Sequence, residues 1–401
     1  MSPRCIPRQI FWLIVITLLA HVAMTGGRIG ASLYALRLGH SQWLAGLAYG
    51  LYNLLPGLLS LHLGRWVDRA GPRRVMGVGL GAMVLGLLGP VLVPGLPAVL
   101  LSSGLCGFGF GSCMLAANLA VARLPYGGPQ AAASQQPPPR PHDRERTGML
   151  GWLQLGNSVS AVVSPAAVGL ALDHGGFRAA FAGLALAACA GLAALAGARL
   201  PSAPAGGKRS GGQGVLHRAV TDPGLRRMYL LAMAVSLAWD GFVFMVPVLG
   251  EAGHLSASVI GGVLSAFAAG TFVVRLALPW LLRGLGGWQL LSLAFALAAA
   301  VFLALPWARQ AAVLALLGFV FGLAAGGGQP LVLNLIYGHL PAGQAGEGAG
   351  LRAMLANLAG FGGSLVFGLI AATSGPATVF AGMAGLMVLA GWQSVRGGAG
   401  H

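Results

Sequence analysis

Long runs without a charged residue alternate along the chain with short charged stretches. No Asp, Glu, Lys or Arg occurs in Gln9–Gly27, Leu38–Leu63, Val75–Ala122, Thr147–Leu172, Ala179–Ala198, Gly284–Ala308, Gln310–Gly346 or Ala353–Val395. A helix needs ~20 apolar residues to cross the hydrocarbon core of a bilayer, and several of these runs exceed that, so each of those holds one crossing or two. Helix breakers divide the longest: "GPVLVPGLP" at Gly89–Pro97 and "TSGPA" at Thr373–Ala377. The pattern predicts twelve crossings, near 10–36, 41–63, 75–93, 98–122, 148–172, 177–198, 228–250, 256–282, 288–306, 310–340, 349–372 and 377–395. Arg4 and Arg8 precede the first run as they would in a secretory leader. No clear small-x-small cleavage site follows, so that segment is read as retained.

Composition agrees with a lipid-embedded chain. Of 401 residues 56% are hydrophobic and 8% charged, and the mean hydropathy is +0.79, too apolar for a soluble domain that must cover its core with polar surface. Basic residues are retained on the cytoplasmic side of a membrane. With the N-terminus inside, twenty Lys and Arg fall in cytoplasmic segments, Arg275 among them, against three outside (Arg37, Arg178 and Arg309) and one, Arg28, within a crossing. Both termini are therefore predicted cytoplasmic. The formal charge of +16 is spread over short loops, which topology explains better than nucleic-acid binding. Cys106, Cys113 and Cys189 lie in apolar spans and Cys5 in the N-terminal tail, so no disulfide framework is expected. No Cys/His spacing suggests a metal, and no cofactor is expected. Arg outnumbers Lys by 23 to 1 and Ala and Gly abound, the usage of a GC-rich bacterial genome and hence of an inner membrane.

The chain repeats itself. "SQWLAGLAYGLYNLLPGLLSLHLGRWVDRAG" from Ser41 aligns without gaps on "SASVIGGVLSAFAAGTFVVRLALPWLLRGLG" from Ser256, an offset of 215 that sets Gly46 on Gly261 and Gly71 on Gly286. "GFGFG" at Gly107–Gly111 meets "GFVFG" at Gly318–Gly322, and "FAG" at Phe181–Gly183 recurs at Phe380–Gly382, in the same order through both halves. Such symmetry marks many transporter folds. The expected organisation is an all-α membrane protein of two pseudo-symmetric six-helix bundles, 1–199 and 226–401, joined by a flexible cytoplasmic linker at 200–225. A polar insert at 125–146, with "PPPRP", separates crossings four and five. It reads as a surface loop, or as a ligand for a proline-recognition domain.

Five charges crowd the twelve residues "GRWVDRAGPRRV" from Gly64 to Val75. Gly64, Asp68, Arg69, Gly71, Arg73 and Arg74 resemble the G-x-x-x-D-R-x-G-x-R-R signature between crossings two and three of the major facilitator superfamily. The twelve crossings, the repeat and the central linker are similar to that family across the whole chain. The resemblance implies a secondary transporter in which two bundles rock about a central cavity. It also implies that Asp68 and its neighbours clasp the cytoplasmic gate, with Glu347 and Arg352 at the start of crossing eleven as partners. Topology alone accounts for Arg73 and Arg74, but it requires neither Asp68 nor the glycines. In the repeat Arg283 stands where Asp68 does, so a second copy of the clasp is missing.

Within the crossings Asp240, in "SLAWDGFVFMVP", lies about ten residues from the outer end of crossing seven, ~15 Å deep at ~1.5 Å per residue. A charge there costs at least ~2.5 kcal/mol and faces a cavity or a partner. The repeat sets Asp240 on Thr25, and His21, Thr25 and Arg28 share one face of crossing one. His21 or Arg28 thus stands as its partner. Two readings remain open: Asp240, with His21, titrates and couples transport to protons, or Arg28 and Asp240 form a permanent structural pair. An Arg28 side chain that snorkels outward needs no partner at all. Gln154, Asn157, Gln329, Asn334 and Asn357 fit a cavity lining or interhelical hydrogen bonds, and "GGGQP" at Gly326–Pro330 is expected to break crossing ten beside the substrate.

Helix five reads "SPAAVG" from Ser164 to Gly169. It keeps only the Pro and the final Gly of the G-P-x-x-G-G ending found in drug/proton antiporters of the superfamily. No catalytic triad, phosphate-cradling loop or ATPase signature occurs, so an ion gradient and not an enzymatic reaction is expected to supply the energy. The sequence thus predicts a monomeric carrier of a small-molecule solute and protons in the lipid bilayer. The competing reading is a sensor or assembly factor that keeps the fold and acts through a protein partner.

Overall fold

The computed structural model describes residues 8–122, 141–198, 200, 213–340 and 344–398, and every helix and strand assigned among them is a helix. Part of the polar insert, 125–140, and part of the linker, 201–212, lie outside the described residues. The helices are α1 (Arg8–Arg37), α2 (Gln42–Ala70), α3 (Pro72–Leu92), α4 (Leu96–Ala122) and α5 (Pro141–Gly197), then a short α6 (Gln213–Thr221). They continue as α7 (Pro223–Ala252), α8 (Ala257–Gly284), α9 (Gly287–Ala304), α10 (Ala311–Gly326), α11 (Gly328–His339), α12 (Ala345–Ser374) and α13 (Pro376–Gly398).

Among the described residues ten spans are long and apolar enough to cross a membrane, and α2, bent by 66° around residue 61, makes eleven. The span Trp152–Gly197 runs for 46 residues, which at ~1.5 Å per residue is about twice a ~30 Å hydrocarbon core. It cannot stay straight in a bilayer. The chain breaks at Gly176, whose φ of 69° and ψ of −174° lie outside the helical region and suit a residue without a Cβ.

The molecule is turned inside out relative to a soluble protein. Leu85, Leu101, Leu186 and Leu303 are exposed, whereas Arg28, Asn53 and Asn157 are buried. An apolar exterior is what lipid requires, and the polar groups gather where helices face one another. Helix ends are closed locally: Ser41 and Ser256, matched in the sequence repeat, are both N-caps whose side chains accept from the amides of Leu44 and Val259. Gly71, at φ 81°, ends α2 and starts α3. Part of the segment read as a flexible linker is ordered instead. Residues 213–221 form α6, which packs on α7 and buries Val215; a short amphipathic stretch finds an apolar surface to cover.

Two seams carry most of the contacts between the first and second halves of the chain. Helix α2 packs along α12 and α5 along α8, while α1 packs on α5, α3 on α4, α8 on α10 and α9 on α13. Both seams close on backbone. A Cβ on Gly46 of α2 would meet the Ser364 carbonyl of α12, and one on Gly261 of α8 would meet the Pro165 carbonyl of α5. The two glycines are repeat mates, so the sequence symmetry is expressed as the same close approach at two places. Behind α8 the packing is aromatic: Phe321 stacks on Phe242 at 4.4 Å and meets Phe302 at 4.9 Å. Gly261→Val is expected to wedge α5 from α8 and cost roughly 1–3 kcal/mol, read as a lower thermal midpoint of the purified protein.

Candidate functional site

One cavity of about 450 Å³ lies between the helices that form the two seams. From α1 it takes His21, Met24, Thr25 and Arg28, residues that recur on one helical face, and from α7 it takes Ser236, Trp239, Asp240 and Val243. Gln154 and Asn157 of α5, Gln329 of α11, and Arg352 and Asn357 of α12 add to its polar wall. Phe110, Met114 and Phe267 supply apolar surface.

At its centre the Asp240 carboxylate is fully engaged. Oδ1 accepts from Arg28 Nη2 at 2.9 Å and from the Tyr49 hydroxyl at 3.4 Å, and Oδ2 accepts from Asn53 Nδ2 at 3.0 Å. The Arg28 guanidinium also lies over the Tyr49 ring, 3.8 Å from its centroid. The two charged side chains are only 11% and 12% exposed. In so dry a site an ion pair stands only when its remaining oxygens are also hydrogen-bonded, which Tyr49 and Asn53 accomplish. Space for the carboxylate comes from α12, because a Cβ on Gly360 would fall on Asp240 Oδ2 and Asn53 Nδ2.

The structure sorts the residues singled out in the sequence. Arg28, not His21, pairs with Asp240; His21 Nδ1 instead bonds Ser160 Oγ at 2.6 Å and lies 3.4 Å from Thr25 Oγ1. Asn157 Nδ2 reaches Met114 Sδ at 3.8 Å, and Asn357 Nδ2 donates to Ala353 O of its own helix at 2.9 Å. Asn334 is exposed on α11 and is not part of the lining. Five residues at 3.6 per turn turn it about 140° from Gln329. The expected break at "GGGQP" is present, since α10 ends at Gly326 and α11 begins at Gly328. It frees the Gly326 carbonyl, which accepts from Arg275 Nε at 3.3 Å.

Arg275 is thus a correction. The sequence reading counts it among cytoplasmic positive charges, yet it lines the cavity from α8. Position near the end of a crossing hid it, because only the packing of α8 on α10 turns it inward. Tyr49 and Asn53 were also missed; their spacing of four on α2 was the available signal. Arg352, expected at the gate, lines the same cavity with a buried Nε that has no hydrogen-bond partner among the described residues. Elsewhere in the charged stretch Gly64 is buried in α2, Asp68 is half-buried in its last turn, and Arg69 and Arg74 are exposed. Arg73 Nη2 donates to Ala196 O at 2.9 Å, tying α3 to the end of α5. Glu347 sits partly buried in the first turn of α12.

The face that carries the α1–α2, α7–α8 and α12–α13 turns is bridged by ionic contacts. Arg37 Nε of α1 donates to Glu251 Oε1 of α7 at 2.7 Å, and Arg37 Nη1 lies 3.8 Å from Asp173 Oδ1 near the bend of α5. Asp173 in turn accepts from the amides of Ala257 and Ser258, at 3.0 and 2.7 Å, at the start of α8. Four helices are pinned at one face by these three side chains.

A cavity that carries charge between apolar helices, with ten or eleven candidate spans among the described residues, defines a multi-pass membrane protein of the transporter type. The sequence profile of the Major Facilitator Superfamily matches residues 8–364, and the chain belongs to that family. No curated relative matches it in sequence. Among solved structures it is similar to the nucleoside transporter NupG (TM-score 0.77, 13% identity, 97% of this chain and 99% of that one). It is also similar to a POT family transporter in complex with a thioalcohol-conjugated peptide (TM-score 0.79, 13% identity, 98% and 96%). The peptide transporter POT in complex with sulfate aligns at a TM-score of 0.75, 16% identity, 97% and 94%. At such identity the likeness shows the fold alone.

Removing one member of the central pair leaves a buried charge uncompensated. Asp240→Ala is expected to cost roughly 3 kcal/mol of stability, and Arg28→Met with Asp240→Leu to recover most of it; thermal unfolding of the unmodified protein and of both variants in detergent measures the two differences.

Proposed function

We propose that the protein is a secondary active transporter that moves a small solute by alternating access, with Asp240 as the proton-coupling acid. The observation that carries this reading is the Arg28–Asp240 pair, buried at 2.9 Å in the wall of a central cavity. A proton added to Asp240 removes the charge that holds Arg28, so protonation and the contacts between α1, α2 and α7 change together. Each charge moved across the membrane then draws on ~2.3 kcal/mol per 100 mV.

In this reading there are twelve crossings, the two arms of α5 counting separately and α10 with α11 as one. They form two pseudo-symmetric halves, 1–199 and 226–401, hinged along the α2–α12 and α5–α8 seams. Ser41 with Ser256, and Gly46 with Gly261, support the symmetry, since repeat mates take the same roles. The distribution of basic residues supports cytoplasmic termini and the Arg-, Ala- and Gly-rich usage a bacterial inner membrane, which makes the face bridged by Arg37 the outer one. Gly64, Asp68, Arg69, Gly71, Arg73, Arg74 and Glu347 form the inner gate that closes when the outer face opens. The protein works as a monomer on the solute and protons and is not an enzyme.

Purified protein in liposomes under an imposed pH gradient tests this, with a solute mixture assayed by mass spectrometry. Expected is gradient-dependent movement of at least one solute, lost in Asp240→Asn; intact pH-driven flux in that variant removes Asp240 from coupling. Asp68→Asn is expected to stop net flux while leaving the amount of protein in the membrane unchanged.

A further inference from the structure

The charges of the cavity do not cancel. Its lining holds three guanidinium groups, Arg28, Arg275 and Arg352, against a single carboxylate, Asp240. That carboxylate is spent on Arg28, Tyr49 and Asn53. Arg275 and Arg352 form no ion pair among the described residues. Among the described residues Arg275 donates to the Gly326 carbonyl and lies over the face of Trp239, 5.9 Å from the ring centroid. The Arg352 Nε is buried without any hydrogen-bond partner among the described residues. His21, the remaining titratable group of the lining, adds no negative charge in either protonation state.

Two partly buried guanidinium groups without a carboxylate partner among the described residues form an incomplete electrostatic arrangement. A planar fork of N–H donors matches an oxyanion in both charge and geometry, whereas a neutral or cationic solute leaves the charge of both guanidinium groups uncompensated. Aromatic and thioether side chains make up much of the rest of the wall, Phe110, Trp239, Phe267 and Met114 among them, and suit an apolar body. A cavity of about 450 Å³ takes a compact molecule of this kind.

We infer that the transported solute is a small organic anion, an oxyanion group on an apolar or aromatic body, with Arg275 and Arg352 as the residues that bind its charge. The inference rests on the transporter reading for what happens to the bound anion, but binding alone tests its chemistry.

Four probes that share an aromatic ring separate the possibilities: phenylphosphonate and benzenesulfonate as anions, phenyl glucoside as a neutral solute, and benzyltrimethylammonium as a cation. Thermal shift and calorimetry on the full chain in detergent are expected to show binding of the anions only. Arg275→Gln and Arg352→Gln are each expected to weaken it about tenfold, and Arg275→Lys and Arg352→Lys, which keep the charge, less. If a Gln variant fails to fold, the Lys variants and the charge selectivity of the unmodified protein still decide. Preference for the glucoside or the ammonium, no binding of either anion, or unchanged anion binding in the Gln variants overturns the inference. The same probes in liposomes separate the two conclusions. Flux of the cation or the glucoside alone rejects the anion and keeps the transporter, whereas anion binding with no gradient-driven flux of any solute keeps the site and rejects the transporter.

Discussion

A carboxylate buried between apolar helices must be held by charge and by hydrogen bonds together, and the centre of this protein is arranged around meeting that requirement for Asp240. Arg28 supplies the charge, while Tyr49 and Asn53 supply the remaining donors. These partners come from α1 and α2, whereas Asp240 is on α7, so the electrostatic need of one residue ties helices more than 180 positions apart. Room for the arrangement depends on α12, where Gly360 leaves the space the carboxylate occupies. The polar centre and the close helix packing are therefore one feature viewed from two directions.

The seams are held differently along their length and at their ends. Helices that meet through Gly46 and Gly261 approach backbone to backbone, an interface that rests on close van der Waals contact, and Ser265 Oγ of α8 accepts from the Ala166 amide of α5 at 3.2 Å. The ionic links, Arg37 with Glu251 and Asp173 with the start of α8, sit at helix ends. In the alternating-access cycle proposed above, those end contacts are the ones that break when the face opens, and two packed bodies change their relative tilt without unpacking either one.

The cavity departs from charge neutrality in one direction only. Arg275 and Arg352 approach it from α8 and α12, the two helices that also form the seams with α5 and α2. In the proposed alternating-access cycle, a ligand that neutralises them would contact the helices whose tilt changes. Binding and closure would then share residues, which is how a solute obtains differential affinity for two conformations.

Much of this was legible in the linear pattern. Charge-free runs and their breakers located the helices, the offset of 215 related Ser41 to Ser256 and Gly46 to Gly261, and a lone intramembrane acid singled out Asp240, because a bilayer penalises every exposed polar group and leaves the exceptions conspicuous. The charged stretch at Gly64–Val75 was enough to point to the family that the profile over residues 8–364 establishes. Which partner Asp240 takes was not legible, since His21 and Arg28 lie on the same face of α1 and only the packing of α1, α2 and α7 chooses between them. Nor was the inward turn of Arg275, or the outward turn of Asn334: hydropathy records how far along a crossing a residue lies, whereas its bearing around the helix acquires meaning only when neighbouring helices are in place. Sequence determined depth and order along the membrane normal; tertiary packing decided the azimuth, and with it the composition of the cavity.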